Sequence, residues 1–328
     1  ALSGCWVSRP GMPAVDALRT ALSTLTRAPI LFVGGLASAL IVLPQTAAQL
    51  AGVPLVPTGL QVLTYFITPF FLAGVLGMAH EALDGETSLG TLVDRGRDRY
   101  VSMLLANIFE TAIVFAFGLL FAIVGIVVAV TVFGTAAAAE GAAAIGGVGL
   151  ATTLFVVVVI GLLALAFVVV MFFLQFYSVA VVVEDAGPVD AFTRSYGVVR
   201  SNLLSTLGYS VITVVVGFLT SLPLTGFILY RTLTSLESME AGPQASGGFG
   251  AGAAPQVFSL PEVIGISLLS LVLSTLITTF VRTYGVAFFT RHAEPPAAGG
   301  DDRVNSAAGD TADPGGSDQL GDRSAGDP

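Results

Sequence analysis

The sequence has no lysine, one cysteine and two histidines, and only 11% of its residues are charged. A lone Cys5 excludes an intrachain disulfide and any cluster of thiolate metal ligands. Without lysine there is no phosphate-binding loop ending in Gly-Lys-Ser/Thr. His80 and His292 stand at the ends of two apolar runs. They form no His-Glu-x-x-His arrangement, so no metal site is expected. No serine lies in Gly-x-Ser-x-Gly, and no histidine sits at a depth to serve one as base. The expectation is a protein without enzymatic activity, cofactor or metal. A formal charge of −9 argues against a nucleic-acid partner.

What the chain does have is apolar surface. Hydrophobic residues make up 54% of it and the mean hydropathy is +0.88, whereas about a quarter of a soluble domain is charged. That composition belongs in a lipid bilayer. Nearly uncharged runs occur at about 30–51, 58–83, 101–133, 150–183, 203–236 and 260–290, each long enough to cross at about 20 residues per span. A membrane β-strand alternates polar and apolar residues, and these valine-rich runs do not. The expected fold is therefore all-α, a polytopic bundle of six transmembrane helices in three pairs. Each pair follows a short cytoplasmic interfacial helix. Four runs would be about 46 to 51 Å long at 1.5 Å per residue, more than the hydrocarbon layer needs, so tilts or kinks are expected. Pro44, Pro69 and Pro223 are the natural kink positions.

Arginine placement gives an orientation. Arg9, Arg19 and Arg27 precede the first span, Arg95, Arg97 and Arg99 separate the second and third, Arg194 and Arg200 separate the fourth and fifth, and Arg291 follows the sixth. The other loops contain none, which puts both termini in the cytoplasm of a multi-pass cell-membrane protein. Only Arg231, at the far end of the fifth span, breaks the pattern. Residues 293–328 hold eight acids against two arginines, and their small polar composition reads as a disordered acidic tail. Residues 1–11 match nothing else in the pattern; Met12 is the expected natural start and residues 1–11 a non-native or disordered extension. The membrane domain is then 12–292. Arginine without lysine, together with the acidic tail, points to a GC-rich, high-salt source.

Two segments echo each other. At an offset of 174, Val15, Asp16, Ala17, Leu18, Leu22 and Leu25 of PAVDALRTALSTLTRAP fall on Val189, Asp190, Ala191, Phe192, Tyr196 and Val199 of EDAGPVDAFTRSYGVVRSN. Both phrases read as amphipathic helices whose apolar face is the Val15/Leu18/Leu22/Leu25 set and its counterpart. Pro13 and Pro188 suit a first turn, Asp16 and Asp190 favour the positive end of the helix dipole, and Asp190 is spaced to pair with Arg194. GETSLGTLVDRGRDRY is a weaker third copy, with Thr87 or Ser88 as its cap. Such helices either set the angle of the following span or bind lipid and partner proteins at the membrane surface.

FYSVAVVVEDAGPVDAFTRSYGVVRSNLLSTLG, a span ending in Val-Val-Val-Glu-Asp followed by a glycine, an amphipathic helix and Arg-x-Asn, resembles the membrane domain found with some glycerophosphodiester phosphodiesterases. It is also similar to an uncharacterised six-span family common in haloarchaea. The resemblance covers about residues 12–292 and implies a six-helix cell-membrane protein. The histidine, glutamate and aspartate of the phosphodiesterase catalytic domain have no counterpart here, so it implies no activity.

Ionisable groups inside a span are costly and mark candidate sites. Glu110 in LLANIFETAIVF and Arg282 in TTFVRTYGVAFF each lie about 13 to 15 Å from the arginine-rich end of their helices. Gln175 and Tyr209 fall near that depth, and Asn107 one turn shallower. Asn107, Glu110, Gln175, Tyr209 and Arg282 form the candidate intramembrane polar layer. One reading is a Glu110–Arg282 ion pair lining a cavity for a lipid headgroup, ion or solute; the other is polar glue between helices. Function divides accordingly, between a non-catalytic structural or interaction component and a transporter or channel for a small solute or lipid. The bilayer is a partner in either case, joined by other membrane proteins or lipid headgroups.

Overall fold

The computed structural model describes residues 13–53, 55–138, 150–239 and 258–293; Cys5, Met12, the expected extension and the acidic tail lie outside them. Among the described residues there are ten helices and no strand. They are α1 (Pro13–Arg27), α2 (Ile30–Leu50), α3 (Val56–Asp84), α4 (Leu89–Asp98), α5 (Tyr100–Ala138), α6 (Leu150–Leu174), α7 (Tyr177–Val183), α8 (Pro188–Ser201), α9 (Leu203–Met239) and α10 (Leu260–Ala293). Six stretches are long and apolar enough to cross a membrane: α2, α3, most of α5, the α6–α7 unit, most of α9 and α10.

The fourth span differs from its expected form. It is one apolar run in sequence but two helices in space, broken at Gln175–Phe176. A break at membrane depth frees backbone groups that lipid cannot satisfy. Ser195, fully buried on α8, supplies the missing partner: its hydroxyl donates to the Phe173 carbonyl at 2.8 Å and accepts from the Phe176 N–H at 3.1 Å. Pro44, Pro69 and Pro223, the expected kink positions, all lie inside helices that continue past them.

Three seven-residue runs, 73–79 in α3, 176–182 at the start of α7 and 283–289 in α10, are buried at every position. These segments pack against one another and form the centre of the core. A helix buried on all sides needs neighbours all round, and α1, α4 and α8 complete the enclosure. None of the three docks mainly on the span it leads into, and two of them dock on the span that precedes them. Thus α4 packs on α3, α8 on α7 and α6, and α1, the first of the described helices, on α10. The arrangement closes on itself, joining the first helix to the last.

The buried faces of α1 and α8 correct the expected ones. Ala17, Ala21, Thr24 and Leu25 are buried in α1, and their counterparts at the offset of 174, Ala191, Ser195, Val198 and Val199, are buried in α8. Of the expected face, Leu25 and Val199 are buried and Leu18 and Phe192 pack against the core, while Leu22, Val189 and Tyr196 turn outward, 48%, 62% and 44% exposed. Small residues win the core side because they let helix backbones approach closely. In α4 Ser88 is the cap, accepting from the Thr91 N–H at 3.3 Å, and Leu92 and Gly96 face inward while Leu89 and Val93 do not.

Glycines set the closest approaches. A Cβ on Gly74 would lie 2.4 Å from the Leu92 carbonyl oxygen of α4, and one on Gly35 of α2 would lie 2.0 Å from the Thr279 hydroxyl of α10. Away from this end the packing thins. The most apolar stretches of the third, fourth and fifth spans contain no buried residue, although Phe117 and Phe167 still meet edge-on at 5.3 Å between α5 and α6.

Candidate functional site

The expected layer resolves into three separate groups. In the first, Glu110 on α5 accepts a short hydrogen bond from the Tyr177 hydroxyl of α7. One turn away, Tyr65 on α3 donates to Thr111 at 2.9 Å and contacts the Asn107 carbonyl at 3.3 Å, while Thr111 donates to that same carbonyl at 2.7 Å. Asn107 therefore contributes its backbone here. In the second, Gln175 sits at the α6–α7 break and its side-chain oxygen accepts from Ser210 of α9 at 3.0 Å; its amide nitrogen is buried without a partner. Tyr209 belongs to an aromatic core rather than a polar one. Its ring lies 5.0 Å from Phe176, 4.6 Å from Tyr284 and 5.0 Å from Phe288. Tyr284 in turn donates to the Ala14 carbonyl at 3.1 Å, fastening α1 to α10.

Arg282 forms the third group. The expected ion pair with Glu110 is absent: the ion pairs among the described residues are Arg95 and Arg99 with Asp185, Arg194 with Glu184, and Arg231 with Glu262. Glu110 has turned to Tyr177, and Arg282 is within electrostatic reach of Tyr177 and Tyr209 without a hydrogen bond to either. Arg282 faces instead a half-open pocket of about 70 Å³ between α2, α3 and α10, whose wall includes Ser38, Thr68, Phe71, Leu72 and Thr278. An arginine at the centre of a span costs about 2.5 to 3.5 kcal/mol on insertion scales. No hydrogen-bond or ion-pair partner among the described residues offsets that cost.

The charged end of the bundle is tied by other pairs than spacing indicates. Arg194 does not take Asp190, one turn before it; its guanidinium grips Glu184 at 2.7 Å and donates to the Ala293 carbonyl at 2.6 Å. The Glu184 carboxylate raises the Arg194 pKa above the ordinary arginine value. Arg99 pairs with Asp185, whose backbone has a φ of 55°, and Arg291 donates to Thr20 at 2.7 Å. At the opposite end Arg231, the exception to the arginine pattern, meets Glu262 at 2.8 Å. Glu262 also accepts from the Ser259 N–H at 2.8 Å, a capping arrangement that opens α10.

Sequence reasoning missed Tyr177, Tyr65 and the three pocket hydroxyls. A signal existed for Tyr177, since YSVAVV (177–182) and YGVAFF (284–289) repeat at a spacing of 107. Both segments belong to the buried runs at the centre of the core. None existed for Ser38, Thr68 and Thr278, ordinary hydroxyl residues on three different helices.

Among the described residues no group of three histidine, cysteine, aspartate or glutamate side chains is placed to hold a metal ion. No curated protein and no solved structure matches the chain. Residues 12–292, spanning every helix described above, match the family model described as "Domain of unknown function (DUF7847)", and the chain belongs to that family.

Proposed function

We propose that the protein is a non-catalytic component of the cell membrane that acts as a structural or interaction element, with both termini cytoplasmic. The observation that carries this reading is the core itself. Three fully buried runs are enclosed by three short helices at the arginine-rich end, and the polar groups Glu110–Tyr177, Gln175–Ser210 and Tyr65–Thr111 satisfy one another across helices. Such pairing rigidifies a bundle, even with the Gln175 amide nitrogen left unpaired. The outward Leu22, Leu89, Val93, Val189 and Tyr196 on the short helices suit a position dipping into the headgroup region. The unburied apolar stretches of α5, α6 and α9 then face lipid or other membrane proteins.

The likeness of residues 176–208 to the membrane domain of glycerophosphodiester phosphodiesterases supports a role beside lipids rather than in their hydrolysis, and the lysine-free acidic composition supports a haloarchaeal source. A second reading, a transporter or channel for a small solute or lipid through the region of Glu110 and Arg282, is favoured by the pocket beside an unpaired Arg282.

One labelling experiment separates the two. In a Cys5→Ser background, Glu110→Cys is reconstituted into vesicles and exposed to a membrane-impermeant thiol reagent from each side. The structural reading expects no reaction; rapid labelling from either side refutes it in favour of a water-filled route.

A further inference from the structure

Arg282 poses a problem that the rest of the bundle does not solve. Its guanidinium carries five N–H donors and a permanent charge, yet it has no hydrogen-bond or ion-pair partner among the described residues, and Glu110, the acid expected to pair with it, is engaged by Tyr177. The pocket it faces is built from three helices, and its wall contains no acidic side chain. Ser38 and Thr68 donate to their own helix at 3.1 and 2.8 Å, bonds that rotation of each O–H can exchange for one donated to an anion in the pocket, and Thr278 adds a third hydroxyl. Ser38 and Val42, on the same wall, lie about halfway along α2, so the site is near the middle of that span. Phe71 and Leu72 make the rest of the wall apolar.

We propose that Arg282, with Ser38, Thr68 and Thr278, binds a singly charged oxyanion, either the head of an amphiphile or a free small anion. One guanidinium balances one negative charge, and no second cation lines the pocket to balance a dianion. A planar fork matched to two oxygens is the geometry in which arginine binds carboxylate and phosphate. The volume, about 70 Å³, is roughly the share of two liquid waters at ~30 Å³ each, enough for an oxyanion head and too small for a whole lipid. An attached chain would leave the pocket along Phe71 and Leu72. The site goes beyond the structural role proposed above and does not depend on it.

The test uses the full chain, purified in mild detergent and stripped of lipid by exchange. Dioctanoyl phosphatidylglycerol, dioctanoyl phosphatidylcholine, sodium acetate and inorganic phosphate are titrated against wild type and Arg282→Gln, read by native mass spectrometry and thermal shift. The expected result is one tightly held anion on wild type, weakened about tenfold or more in the variant. A response to phosphatidylglycerol alone assigns an amphiphile; a response to acetate or phosphate assigns a free anion. If Arg282→Gln does not fold, Ser38→Ala/Thr278→Val keeps the charge and removes two hydroxyls, and several-fold weaker binding is expected. Equal affinity of wild type and variant for every probe, or no binding by wild type, overturns the proposal.

Discussion

Replacing Ser195 with alanine removes a single oxygen from a site with no solvent access, and the structure allows its cost to be worked out. Ser195 is 0% exposed, and its hydroxyl makes two hydrogen bonds at once, to the Phe173 carbonyl and from the Phe176 N–H. Alanine at this position is sterically free, because the counterpart in α1 is Ala21, also fully buried. The change is therefore electrostatic rather than a matter of packing. It leaves one buried donor and one buried acceptor unpaired, at about 1 to 3 kcal/mol each, partly offset by relaxation of the turn. A loss of about 2 to 4 kcal/mol is expected, with Ser195→Thr, which keeps the hydroxyl, losing much less. The assay is reversible unfolding in mixed micelles of mild detergent and dodecyl sulfate, followed by circular dichroism. A loss under about 0.5 kcal/mol would mean that α6 and α7 can fuse into one helix at no cost, and the account of the break would be refuted.

Gly74→Ala should lower stability by about 1 to 3 kcal/mol, the usual cost of overpacking, because the Leu92 carbonyl 2.4 Å from the new Cβ cannot swing away as a side chain would. Gly59→Ala, with open space around it, should be neutral or stabilising in the same unfolding assay. Glu110→Gln and Tyr177→Phe should couple in a double-mutant cycle by about 0.5 to 3 kcal/mol, whereas Glu110→Gln and Arg282→Gln should be nearly additive; the reverse ranking would restore the discarded ion pair. In intact cells expressing a Cys5→Ser background, a cysteine at Gly52 should react with an impermeant thiol reagent and one at Glu86 should not; the opposite pattern would invert the proposed orientation.

The spans were legible because hydrophobic length is a local property: observed helices such as Ile30–Leu50 and Leu260–Ala293 lie within a few residues of the apolar runs. Ser88 was legible as a cap for the same reason, since its partner Thr91 is three residues away. What failed was everything decided across helices. The break at Gln175–Phe176 depends on a hydroxyl twenty residues on, in another helix. Spacing along one helix offered Asp190 to Arg194, but the docking of α8 beside the end of α7 brought Glu184 closer. The buried face of α1 was legible only in part: Leu18 and Leu25 do face the core, but helix docking also selected Ala17 and Ala21 and left Leu22 outside. Depth alone placed Glu110 and Arg282 together; the direction each side chain faces, which depth does not specify, kept them apart.

The docking of α4 and α8 on the spans before them, and of α1 on α10, has a consequence for biosynthesis. As the chain emerges, α4 finds α3 already made, and α8 finds α7. The first described helix must wait for most of its seat: it touches α3 and α9, but its main seat is α10, fastened through Tyr284 to the Ala14 carbonyl. Its alanine face stays largely unclaimed until the last span is inserted, so a nascent chain halted before α10 would present that face to chaperones and proteases. The docking of α1 thus waits on α10, more than two hundred residues further along the chain.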